Sequence, residues 1–193
     1  MRSIPGLAAA LVMLLAIPIA LASEMLAPGS AETTLHLAIG TASLLLAAAA
    51  FDFGVPRWAA WVGGLSAAAF GAIFLLQGLA QISGSEALST LAFDVLGQEL
   101  ERFLPDVILI WFVVLLAVAS HGWTRLVGAA ILGIVIAMEV ASLAGPLVGI
   151  EIPSLKVLML LPFIWLLLES AKRRPDITAS VSSVPIEVGG GAR

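Results

Sequence analysis

The chain has 193 residues, 61% of them hydrophobic and only 11% charged, with a mean hydropathy of +1.11 and a formal net charge of −4. Soluble domains carry about a quarter charged residues, so this chain has too little polar surface to coat a water-soluble globule, and its acidity excludes a basic nucleic-acid-binding face. It contains no cysteine, which excludes disulfides, thiol catalysis and cysteine-ligated zinc or iron–sulfur centres.

A chain of this kind belongs in a bilayer, where backbone polar groups must be satisfied internally by helices or a closed barrel. The apolar runs here are continuous, rich in Leu, Ala, Val and Ile, and do not alternate in ten-residue segments, which selects helices. The expected fold is all-α: a polytopic membrane helix bundle of about six transmembrane helices plus one amphipathic interfacial helix. The count falls to five if the N-terminal segment is a cleaved signal.

Residues 1–22 carry Arg2, an apolar run, Pro18 and then Ala20-Leu21-Ala22. This is the grammar of a first membrane helix and also of a secretory signal with an A-x-A cleavage site. Either reading leaves Ser23 outside the cytoplasm. A second span is expected over about 34–51, followed by a tight turn at Asp52-Phe53-Gly54-Val55-Pro56-Arg57. A third, over about 58–82, carries a ladder of small residues at Gly63, Ala67 and Gly71, then Gln77 and Gln81 one turn apart.

Residues 86–104 place Leu88, Leu91, Val95, Leu96, Phe103 and Leu104 at helical spacing, with Glu86, Asp94, Gln98, Glu101 and Arg102 between them. That pattern reads as an amphipathic helix on the membrane surface or capping the bundle. A fourth span begins at Asp106, just after Pro105, and a fifth covers about 126–144, with Gly145-Pro146 as its stop. The sixth, over about 155–169, has Pro162 at its middle as an expected kink. The bundle thus occupies 23–171 after the first segment. Residues 172–193 form a basic stop, Lys172-Arg173-Arg174, and a tail without an apolar face that reads as disordered.

Short loops with excess Lys and Arg stay cytoplasmic. With six spans and a cytoplasmic N-terminus, the inside receives Arg2, Arg57, Arg125, Lys172, Arg173, Arg174 and Arg193, and the outside only Arg102 and Lys156. The expected location is integral to a cell or inner membrane, with the C-terminus cytoplasmic.

Within the fifth span lies Glu139. A carboxyl in hydrocarbon costs several kcal/mol unless protonated, paired or wet, so it marks a functional hypothesis. At 1.5 Å rise per residue it sits roughly 20 Å from Arg125, in the outer half of the membrane. Gly128, Leu132, Val135 and Ser142 share its face, while Gly133, Ala137 and Ala141 form a small-residue ladder on the other. By depth, His36, Gln77, Gln81 and Asp106 join Glu139 in the outer half, which reads as a polar cavity open to the outside. The plainer alternative is that His36, Gln81 and Asp106 occupy helix ends, that Gln77 bonds a neighbouring helix, and that Glu139 is a protonated structural donor.

Haem ligation by one chain is excluded, because His36 and His121 fall on opposite membrane faces, roughly 30 Å apart. There is no H-E-x-x-H, G-x-S-x-G or P-loop pattern and no metal-ligand cluster. No catalytic residues, cofactor or metal are therefore expected, and an enzyme of lipids or quinones is the least supported class. Two readings lead. One is a transporter, carrier or channel component built around Glu139. The other is a non-catalytic subunit whose small-residue ladders dock another membrane protein or a second copy.

Overall fold

The computed structural model describes residues 3–148 and 160–172; the side chains of residues 99, 101–103, 105, 106, 139, 142–148 and 160 lie outside the described set. The described chain is all-helical. Its elements are α1 (Ile4–Leu26), α2 (Ser30–Ala49), α3 (Arg57–Ser83), α4 (Glu86–Ser89), a π-helical turn (Thr90–Val95), α5 (Leu96–Val118), α6 (Trp123–Val148) and α7 (Leu160–Ala171). Three of them, α1, α2 and α3, are long and apolar enough to cross a membrane. Shorter apolar helical stretches cover Val107–Val118, Trp123–Met138 and Leu161–Ala171.

Local chemistry explains the boundaries. Ser3 caps α1, its Oγ accepting from the Gly6 N–H at 3.1 Å, and Pro5 sits in the first turn, where a missing N–H loses nothing. The α1–α2 turn puts Gly29 at φ +87°, and α2 has no side-chain cap of its own at that residue. Glu24 supplies one from the preceding helix: its carboxylate accepts from Gly29 N at 2.8 Å and Ala31 N at 3.0 Å, placing a negative group at the positive end of the α2 dipole.

Helix α2 lies between α1 and α3, α7 returns against α1, α5 packs on α3, and α6 rests mainly on α7 and partly on α5. Small residues let two helix backbones approach closely. The α2–α3 pair shows how. A Cβ on Gly40 would come within 2.9 Å of the Gly71 carbonyl oxygen, and one on Gly71 within 2.8 Å of that of Gly40. Two glycines facing each other bring the two backbones together.

The ends of the helices form two polar layers. At one end Ser3 donates to Asp52 Oδ2 at 2.8 Å, and Lys172 reaches the α5–α6 turn. At the other end Thr34 donates to Ser23 Oγ at 3.1 Å and His36 meets Gln81. Among the described residues, Arg57, Arg125 and Lys172 belong to the Ser3 end, whereas Glu24, Glu32, Glu86 and Asp94 belong to the His36 end. The main hydrophobic cluster, including Phe53, Trp111, Phe112, Leu115, Leu116, Trp165 and Leu166, sits toward the Ser3 end. Trp165 is its centre, edge-on to Phe112 at 5.0 Å and stacked with Phe53 at 6.4 Å.

Several expected boundaries move. Residues 86–104 do not form a separate amphipathic helix ending at Pro105; a helical path runs through them, and α5 continues from Leu96 to Val118. The π-helical turn also breaks the 3.6-residue register on which that amphipathic face was drawn. Its i→i+5 bonding, ending with Leu96 N–H to Leu91 O, turns Ala92 inward while Leu91 and Val95 stay 44% and 55% exposed. Gly145-Pro146 does not stop the fifth span's helix, which reaches Val148. Pro162 lies in the described α7; residues 155–159 of that expected span, and the tail after 172, lie outside the described residues.

Candidate functional site

Where α2, α3 and the π-helical turn meet, the sequence places an imidazole, two amides and two phenyl rings. His36 is 9% exposed, and its Nδ1 lies 3.2 Å from Gln81 Oε1. An amide oxygen only accepts, so Nδ1 is the donor where this contact is a hydrogen bond. The ring lies 5.5 Å from that of Phe74, one α3 turn before Gly78, and 5.9 Å edge-on from that of Phe93 in the π-helical turn. Gln77, 2% exposed, directs Nε2 to the Ala92 carbonyl at 3.4 Å.

The architecture dictates these meetings. Gly78 lets Leu37 lie against α3, since a Cβ there would come within 2.6 Å of Leu37 Cδ2, and this brings the next residue back along α2, His36, level with Gln81. Beside Gln81 a shallow open cleft of about 280 Å³ is lined by Ala80, Gln81, Gly84, Ser85, Glu86 and Ser89. Gln81 therefore has one face on the buried histidine and one on the cleft.

Of the five residues expected around a polar cavity, the structure joins His36 with Gln81 and seats Gln77 against the neighbouring π-helical turn. The side chains of Glu139 and Asp106 lie outside the described residues. Helix α6, which carries position 139, packs on α7 and α5. Its inward face is set by Gly128, where a Cβ would collide with Leu116 and come within 2.7 Å of Trp165. Leu132 and Val135 continue that face against the core.

The small-residue ladders separate into different roles. On α3, Ala67 is fully buried, Gly71 serves the α2 contact, and Gly63 makes room for the Trp111 indole of α5. On α6, Gly133 has no neighbour among the described residues within 4 Å of a Cβ built on it, and Ala137 is exposed; Ala141 is half-buried. Within the single chain, α6 makes its close approach through Gly128 instead.

A second polar assembly, at the Ser3 end, is not apparent from the sequence. Trp165 Nε1 donates to the Thr124 carbonyl at 3.1 Å, and Thr124 Oγ1 donates to the His121 carbonyl at 3.1 Å. Lys172 Nζ donates to the same His121 carbonyl at 2.5 Å and to Thr124 Oγ1 at 3.2 Å. Thr124 and Ser120 are 0% and 1% exposed, with a long 3.5 Å contact between their hydroxyls. The one local signal was that Ser120 and Thr124 stand four residues apart beside His121. Their partners on α7 lie more than forty residues further along.

Among the described residues no group of His, Asp or Glu is arranged to hold a metal ion. Compared with known proteins, the chain matches no protein-family model, and no curated protein or solved structure resembles it significantly.

Proposed function

We propose that this chain is a small integral membrane protein that carries a solute or ion, with its polar site opening at the acidic, His36 end. The reading takes six membrane crossings, α1 retained as the first, and the Ser3 end and C-terminus facing the cytoplasm. The basic side chains at that end support this orientation. The observation that carries the proposal is the His36–Gln81 pair: a buried imidazole, tied to an amide that also lines an open cleft. A titratable group below an open cleft is the arrangement that coupled transport uses in a membrane interior.

Glu139 is assigned as the second protonatable group, at the floor of the cavity that His36, Gln77, Gln81 and Asp106 surround. The test is flux in vesicles containing the reconstituted protein and a trapped pH-sensitive dye, screened against cations and small organic solutes. Wild-type protein should move at least one of them. Glu139→Gln and His36→Phe should each abolish that flux while purifying with near-normal yield and thermal stability. Full flux in a stable Glu139→Gln protein would sink the assignment.

A second reading, a non-catalytic subunit or assembly partner, is favoured by one observation: among the described residues nothing packs on Gly133, and Ala137 is exposed. It predicts that Gly133→Leu releases a co-purifying membrane partner. A chain that purifies alone, unchanged by that substitution, counts against it.

A further inference from the structure

The Ser3 end of the bundle is closed by a lysine that has two places to go. Lys172 follows α7 directly and now bonds away from its own helix, to His121 O and Thr124 Oγ1 of the α5–α6 turn. One turn earlier on α7, Glu169 Oε2 is buried and has no hydrogen-bond partner among the described residues. Residues three apart on a helix are side-chain neighbours, so the Glu169 carboxylate is within reach of the Lys172 ammonium once it leaves the turn. A buried acceptor left unsatisfied raises the free energy of the present arrangement, and an ion pair formed in the alternative one lowers the free energy of that state. Two arrangements, each incomplete in a different place, are the makings of a bistable element.

We propose that Lys172 is a latch. In one position it fastens α7 to the α5–α6 turn and closes the end opposite the His36 cleft; in the other it pairs with Glu169 and lets that end open. The purpose assigned here, an inner gate that alternates with the outer cleft, rests on the carrier reading; the latch itself does not require a substrate. The geometry around it fits a gate. Thr124 is the common point of the Lys172 and Trp165 contacts, so releasing Lys172 removes one of the two α7-side hydrogen-bonding side chains at the turn. Ser120, 1% exposed, lies directly behind it.

The absence of native cysteine makes the test clean. Ser120→Cys is introduced into the full chain in detergent, and its reaction with a polar maleimide reports how often the Ser3 end opens. Lys172→Met should speed labelling by at least about tenfold, because it removes both charge-assisted hydrogen bonds and one alone accounts for about that much. Glu169→Leu should slow it by several-fold, because it removes the acceptor that stabilises the open state. A merely structural role for both residues would speed labelling in both variants, and that result overturns the proposal, as does an unchanged rate in Lys172→Met. Should Lys172→Met not purify as a folded chain, Thr124→Val, which removes one acceptor while keeping the shape, carries the same expectation of faster labelling. Labelling and flux are separate readouts, so loss of the carrier reading and loss of the latch are told apart.

Discussion

Gly40 and Gly71 face each other across α2 and α3, each occupying the space where the other would need room for a Cβ. This reciprocal contact holds the α2–α3 pair close enough for His36 to reach Gln81 further along the same two helices. A close backbone approach near the middle of the pair therefore positions the polar contact at its end.

Gly71→Leu should destabilise the chain by about 1–3 kcal/mol, the usual cost of forcing methylenes into a packed contact. Thermal unfolding in detergent measures it. Gly133→Ala, at a helical glycine with nothing within 4 Å, should be neutral or stabilising by up to about 1 kcal/mol through helix propensity. Equal effects at the two positions would contradict the packing described here.

The His36–Gln81 contact should appear as coupling. His36→Phe and Gln81→Leu each strip one partner, while the double variant removes both. A double-mutant cycle should return about 0.5–1.5 kcal/mol of interaction. A cycle that closes at zero means the two side chains do not meet.

Trp165→Phe keeps a ring between Phe53 and Phe112 but removes the N–H that satisfies the Thr124 carbonyl. Loss of about 0.5–1.5 kcal/mol is expected, the net contribution of one hydrogen bond, together with faster labelling of Ser120→Cys.

The N-terminal segment should be retained. Ser3 bonds Asp52, and Gly6 lies against Ser170 and Phe53, where a Cβ would collide with the serine hydroxyl. Ala9, Ala10, Met13, Ala16 and Ala20 of α1 are buried. Mass spectrometry of the purified protein should find a peptide containing Ser3; a product beginning at Ser23 would show that α1 is a signal. Ser3→Ala, which removes both the cap and the Asp52 bond, should cost about 1 kcal/mol or more.

Composition alone determined the helical class, because a chain so poor in charge and so rich in unbroken apolar runs leaves lipid few other backbones. Hydropathy and small-residue spacing also made α1, α2 and α3 legible to within a few residues, along with the role of Gly71. The charge bias sorted Arg57, Arg125 and Lys172 to one end and Glu24, Glu32, Glu86 and Asp94 to the other, while Asp52 and Glu169 lie at the basic end. What sequence could not supply was register across long separations. Gly40 as the partner of Gly71, Gly128 rather than Gly133 as the packed glycine of α6, and the reach of Lys172 to His121 all depend on how helices rotate and cross. That is decided by many weak contacts summed over whole interfaces. The π-helical turn is the plainest case. Nothing in Thr90-Leu91-Ala92-Phe93-Asp94-Val95 announces it, because each residue also suits an α-helix. The alternative register turns Ala92 inward, where it receives Gln77, and brings Phe93 to His36, contacts that exist only once α3 and α5 have packed.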